Sequence, residues 1–95
     1  MDSLCPFEVL VADDSRTIRT QLRQILTQAG YRVTEARDGR EAVNLIRENP
    51  PFLAILDINM PELDGYGVCQ ELKELGEPFT QIPIVLLTSL DSHAL

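Results

Sequence analysis

At 95 residues the chain fits one small domain with a single core. Its apolar fraction of 44% is ordinary for a globular protein, and no apolar run approaches the ~20 residues of a membrane helix. A formal charge of −7 disfavours direct nucleic-acid contact, which draws its affinity from lysine and arginine against phosphate.

The start, Met1-Asp2-Ser3-Leu4-Cys5-Pro6, lacks the basic stretch and apolar run of a secretion signal, so a cytoplasmic protein with no membrane contact is expected. Glu8-Val9-Leu10-Val11-Ala12 is short, apolar and β-branched, and two aspartates end it abruptly, as expected of a buried strand. From Ser15 the period becomes helical, with Ile18, Leu22, Ile25, Leu26 and Ala29 apolar, arginines and glutamines between them, and Gly30 as C-terminal cap. Arg32-Val33-Thr34-Glu35-Ala36 predicts a more polar strand at the sheet edge. Asp38 with Glu41 forms a variant of the capping box, and Ala42, Val43, Leu45 and Ile46 give the second helix its apolar face before Asn49-Pro50-Pro51 stops it. Phe52-Leu53-Ala54-Ile55-Leu56 is apolar throughout and predicts a central strand covered on both faces. Loop chemistry follows from Ile58 to Gly65. Val68, Cys69, Leu72 and Leu75 then mark a third helix ending at Gly76. Ile84-Val85-Leu86-Leu87 predicts a fourth buried strand, and Asp91 or Ser92 could start another helix. Strands alternating with helices imply an α/β, doubly wound parallel sheet with right-handed crossovers, whose site lies beyond the carboxyl ends of the strands where their order reverses.

The chemistry gathers at those ends. The first strand runs into Asp13-Asp14 and the third into Asp57. Adjacent strands lie ~4.8 Å apart, so if these two are neighbours, three carboxylates converge in one crevice. Two such charges ~4 Å apart repel by about 4 kcal/mol at an effective dielectric of about 20. A divalent cation turns that repulsion into a binding site, and Mg²⁺ suits carboxylate oxygens together with water and a phosphate oxygen. Plainer readings exist for each element: Asp14 with Ser15 as a helix cap, Asp57 as a solvated strand end, Thr88 and Ser89 as structural hydroxyls. The acids together at matching strand ends favour a site. Cys5 and Cys69 have no histidine at metal-ligand spacing and are read as free thiols, and His93, the single histidine, as a surface residue.

Taken in order, Val9-Leu10-Val11-Ala12-Asp13-Asp14-Ser15, Asp38-Gly39-Arg40-Glu41-Ala42, Leu56-Asp57-Ile58-Asn59-Met60-Pro61-Glu62-Leu63-Asp64-Gly65-Tyr66 and Pro83-Ile84-Val85-Leu86-Leu87-Thr88-Ser89 resemble the response-regulator receiver domain of two-component signalling. The resemblance implies a flavodoxin-like fold with strand order 2-1-3-4-5, the order for which a receiver protein is a standard example. It implies that Asp57 takes phosphate from a kinase phosphohistidine as an acyl phosphate. Asp14 would bind Mg²⁺ directly, Asp13 directly or through water, and Asn59 through its backbone carbonyl, with Asp57 also a ligand. Thr88 would hydrogen-bond the phosphoryl group and carry the switch. Implied partners are a histidine kinase or phosphotransfer protein, and an output domain in a longer chain or a separate downstream protein. Such a domain modifies only itself and is not an enzyme in the usual sense.

The family's lysine at the end of a fifth strand has no counterpart before Leu95, and Lys73, the only lysine, lies on the third helix. The expectation is therefore a receiver domain over 1–95 that is truncated at its C-terminal end, lacking the fifth strand and last helix. Either the chain belongs to a longer protein or it pairs with another copy as a homodimer through the fourth strand's edge. Two rival readings remain. One is a receiver-like interaction module that is never phosphorylated. The other is an aspartate-nucleophile phosphohydrolase, which wants an acid two positions after Asp57, where Asn59 stands.

Overall fold

The computed structural model describes residues 7–88. Cys5, Ser89, Asp91, Ser92 and His93 lie outside the described residues. Four strands, β1 (Glu8–Ala12), β2 (Arg32–Ala36), β3 (Leu53–Asp57) and β4 (Ile84–Leu87), alternate with the helices α1 (Arg16–Gln28), α2 (Gly39–Glu48) and α3 (Gly65–Leu75). The strands form one sheet in the order β2-β1-β3-β4, all pairs parallel, as expected of the doubly wound fold. β2 is indeed an edge strand.

The two faces of the sheet are covered unequally. On one, Leu10, Ala12, Ala54 and Leu56 pack with Ala42, Val43 and Ile46 of α2 and Val68 and Leu72 of α3. On the other, Val9, Val11 and Ile55 meet Leu22 and Leu26 of α1. Each fully buried aliphatic side chain contributes about 1.5–3 kcal/mol, so the first face holds most of the apolar stabilisation.

Two helix starts are made as the sequence suggests: Ser15 Oγ accepts from Ile18 N–H and Asp38 Oδ1 from Glu41 N–H at 2.8 Å. The third, in the stretch expected only to be loop, is capped by Asp64 Oδ1, which accepts from Gly67 N–H at 2.8 Å. The Glu41 carboxylate reaches back one residue further than a standard capping box, to the N–H of Arg37 at 2.8 Å. Gly30 and Gly76 take positive φ just past α1 and at the end of α3.

Three expectations need correcting. The third strand begins at Leu53 and includes Asp57, whereas Phe52 is exposed and tilts against Phe7 with ring centroids 4.5 Å apart. β4 is not a buried strand: Val85 and Leu86 are 43% and 37% exposed, because β4 pairs only with β3 among the described residues and α1 covers the sheet mainly over β1 and β3. On α1, Ile18 and Ile25 face outward, and the one buried residue is Arg19. A 3-10 turn at Phe79–Gln81, which the sequence pattern did not suggest, leads into β4.

The segment joining β3 to α3 is pinned against α2. A Cβ on Gly39 would stand 1.7 Å from the Leu63 carbonyl oxygen, so only glycine lets the first turn of α2 meet that segment. Gly39→Ala is expected to lower stability by about 1–3 kcal/mol or more, read as a lower urea midpoint. An unchanged midpoint would mean that the segment yields without cost.

Candidate functional site

Parallel pairing of β1 with β3 sets Ala12 beside Leu56, so Asp13 and Asp57 leave the sheet side by side. Asp13, Asp14 and Asp57 each offer a carboxylate oxygen, and these atoms all lie within 4.8 Å of one another. Asp13 and Asp57 are 5% and 7% exposed, whereas Asp14 is exposed. Unit charges at that spacing repel by on the order of 3 kcal/mol per pair at an effective dielectric of about 20. Hard oxygen donors converging in this way are the donor set that Mg²⁺ or Ca²⁺ takes, and the residues present fit such an ion.

The two buried carboxylates are held by backbone. The N–H of Ser15 donates to Asp13 Oδ1 at 2.8 Å, and the N–H of Asn59 donates to Asp57 Oδ1 at 3.1 Å. Asp57 sits opposite Leu87, whose carbonyl accepts from Ile58 N–H at 3.0 Å. Thr88 follows Leu87 and so stands at the same end of the sheet. The start of α3 closes the floor, since a Cβ on Gly65 would come within 2.7 Å of the Asp57 carbonyl oxygen. Glu62, in the intervening loop, is a non-glycine residue at φ 70°, a conformation that disfavours side chains. A cleft of about 200 Å³ lies at the opposite end of the strands, against Glu8, Thr34 and Leu45. There Glu8 already accepts hydrogen bonds from Thr34 and Asn49.

Asp13, Asp14 and Asp57 are neighbours, as the sequence suggests, whereas Arg19 is not among the residues it singled out. The Arg19 guanidinium donates to the Asp13 carbonyl oxygen at 2.7 Å and to Glu35 Oε1 at 3.0 Å, and Arg23 also donates to Glu35. Those two arginines, Arg23 first, hold the Glu35 carboxyl below its usual range. The signal was present in the spacing: Arg19, Leu22 and Leu26 form the inward stripe of α1, beside the more apolar stripe of Ile18, Leu22 and Ile25.

A scan of family models matches residues 9–95 to the response regulator receiver domain. Among curated proteins, the response regulator MprA of Mycolicibacterium vanbaalenii is 45% identical over 87 residues, covering 92% of this chain and 36% of that protein. A probable transcriptional regulator, ycf27, of Guillardia theta is 47% identical over 87 residues, covering 92% of this chain and 33% of that protein. The chain thus spans about a third of the length of the curated relatives it matches. Among solved structures, the receiver domain of a signal transduction histidine kinase from Syntrophus aciditrophicus superposes with a TM-score of 0.80 at 44% identity, covering 88% of this chain and 63% of that one. The response regulator TrrA of Thermotoga maritima, solved with Mg²⁺ and BeF, gives 0.80 at 32% identity over 93% of this chain and 74% of that one. The chain belongs to the response regulator receiver domain family, a family of two-component signalling domains. Among the described residues no helix is long and apolar enough to cross a membrane.

Burial pushes the Asp13 carboxyl above its ordinary value of 3.8, with Asp57 and Asp14 adding to the rise and the Ser15 N–H and Arg19 opposing it. The folded protein therefore holds that proton more tightly than the unfolded chain does. Without a divalent cation, stability must fall as pH rises from 3.8 through the raised value. Asp13→Asn keeps an acceptor for Ser15 N–H and removes the charge. It is expected to melt higher than the parent at neutral pH in chelator, and to lose that advantage as pH falls toward 3.8. A relief of about 1 kcal/mol would read as roughly 4–8 °C for a domain of this size. Parallel pH profiles for the two proteins would contradict the assignment.

Proposed function

We propose that this chain is a phosphoacceptor: Asp57 receives a phosphoryl group from the phosphohistidine of a histidine kinase or phosphotransfer protein, with Mg²⁺ bound at the acidic end of the sheet. The observation that carries the reading is the approach of Asp13, Asp14 and Asp57 oxygens to within 4.8 Å around a buried strand-end carboxylate. The TrrA neighbour, solved with Mg²⁺ and BeF, lends support by likeness.

In this reading Asp13, Asp14 and Asp57 hold the ion through their carboxylates and Asn59 through its backbone carbonyl. When bound, Mg²⁺ supplies positive charge against the phosphoryl oxygens. The chain's own part is positional. The Asn59 N–H on Oδ1 fixes the rotation of the Asp57 carboxylate, and Gly65 packs the backbone beneath it. An Asp57 oxygen forms its bond to phosphorus as the bond from phosphorus to the donor imidazole nitrogen breaks, and the leaving imidazole keeps that electron pair. Thr88 hydrogen-bonds the transferred phosphoryl group, and its shift passes the change to an output domain of a longer protein or to a separate downstream protein. The domain works in the cytoplasm, where such kinases present their phosphohistidine.

A small-molecule phosphodonor with Mg²⁺ is expected to add one hydroxylamine-labile phosphoryl group to the full-length protein, seen by intact mass, and Asp57→Asn is expected to abolish it. Labelling of Asp57→Asn at the parent's rate would place the nucleophile elsewhere.

Metal binding has its own check, because a ligand that binds only the folded state raises stability by mass action, about 2.7 kcal/mol at a hundredfold excess over Kd. Mg²⁺ is expected to raise the melting midpoint of the parent, and Asp14→Ala to remove most of that rise. Equal responses would exclude Asp14 as a ligand.

A further inference from the structure

Arg19 is a charged residue, 9% exposed, on the face of α1 that meets the sheet. Burying a guanidinium costs several kcal/mol unless its donors are matched, and a methionine or leucine would fill the space more cheaply. Its two recorded partners explain why it is there. One is Glu35, which projects from β2 toward α1 and is also bound by Arg23. The other is the main-chain carbonyl of Asp13, at 2.7 Å. A tie between α1 and β2 needs only the first bond. The second bond is directed at the peptide that joins the two acids.

The main chain of Asp13 is fixed on both sides, its N–H in the peptide before it and its carbonyl in the peptide that joins the acids. The N–H of Asp13 donates to the Ala36 carbonyl at 3.1 Å, extending the ladder of β1 and β2 by one rung, and its carbonyl accepts from Arg19. Because a peptide unit is planar, holding the Asp13 carbonyl also fixes where the Asp14 nitrogen and Cα lie. Meanwhile Ser15 N–H holds the Asp13 side chain, and the Ser15 carbonyl accepts from the N–H of Arg19 itself at 3.0 Å. The segment 13–19 is thereby closed on itself, with Glu35 as its anchor.

We propose that Arg19, held by Glu35, is the positioning residue of the acidic site: it sets the orientation of the Asp13–Asp14 peptide and so pre-arranges both carboxylates for a divalent cation. This rests on the metal reading above and extends it to a residue that touches neither ion nor phosphate. Positioning and simple electrostatics predict opposite signs. A positive charge near the site opposes a cation, so if charge were its only effect, removing Arg19 would tighten Mg²⁺ binding. If it positions the acids, removing it weakens binding, since partners of this kind are worth about 10–100-fold in metal affinity.

The experiment is a Mg²⁺ titration by calorimetry on the full-length protein and on Arg19→Met, Arg19→Lys, Glu35→Gln and the Arg19→Met/Glu35→Gln pair. It is accompanied by the carbonyl ¹³C shift of Asp13 measured by NMR without metal. Expected are a rise in Kd of about tenfold or more in Arg19→Met and a smaller rise in Glu35→Gln. The double variant should be no worse than Arg19→Met, because the two act as one unit. Arg19→Lys keeps the charge but replaces the rigid planar fork with a compact ammonium on a flexible stem, so it too should bind Mg²⁺ more weakly and show the same Asp13 carbonyl shift. It serves as the test should Arg19→Met not fold. An unchanged or lower Kd in either Arg19 variant, with the parent binding normally, overturns the positioning role and leaves the metal reading intact. Failure of the parent to bind Mg²⁺ overturns both.

Discussion

The structure depends on one mismatch that the fold tolerates: carboxylates brought together at the ends of two adjacent parallel strands. β1 and β3 are the central pair, and their side chains are among the most deeply buried in the protein. Their register is held by apolar packing on both faces, which a slip of one residue would invert. The strands cannot move apart to relieve the repulsion without losing that packing. The acids are therefore forced together by hydrophobic burial, and the backbone around them supplies N–H groups rather than further charge, apart from Arg19.

Much of this was legible in the chain. β1, β2 and β4 have the expected bounds, and the helix caps at Ser15 and Asp38 use local hydrogen bonds between residues close in sequence. Short-range chemistry of this kind depends little on tertiary context. What was misread depends on distant partners. Phe52 looks like the start of an apolar strand but finds Phe7 at the sheet's lower end. The four apolar residues of β4 predicted burial, and burial requires a neighbour on the outer side, which composition cannot supply. Arg19 was counted with the polar face of α1 because its acceptors, the Asp13 carbonyl and Glu35, are remote in sequence or belong to the main chain. The acidic cluster was legible because three like charges at strand ends constrain the answer, whereas the helical spacing that puts Arg19 in line with Leu22 and Leu26 competes with a more apolar stripe.

Glycine placement links the site to the helices behind it. Gly39 lets α2 touch the Leu63 carbonyl, and Gly65 lets α3 touch that of Asp57. Arg40 joins the same two helices through a paired hydrogen bond to Glu71 at 2.9 and 2.8 Å. The exposed pair adds little energy by itself. Together these contacts make α2, α3 and the segment between Asp57 and Gly65 a single packed layer. A displacement arising at Asp57 would enter that layer directly.

The opposite layer is built differently. α1 rests on the sheet through the half-buried Leu22 and Leu26, and its sole buried residue is Arg19, whose guanidinium grips the Asp13 peptide. Elements with little apolar burial open locally at lower free energy than the rest of a domain. The acid pair is thus fastened to the more easily opened of the two layers. By thermodynamic reciprocity, an ion held by Asp13 and Asp14 as proposed would lend α1 whatever free energy couples the two, and anything that docks on α1 and stiffens it would return the same amount to the ion. Helix and ion would then act as two ends of one lever whose fulcrum is the Asp13 carbonyl.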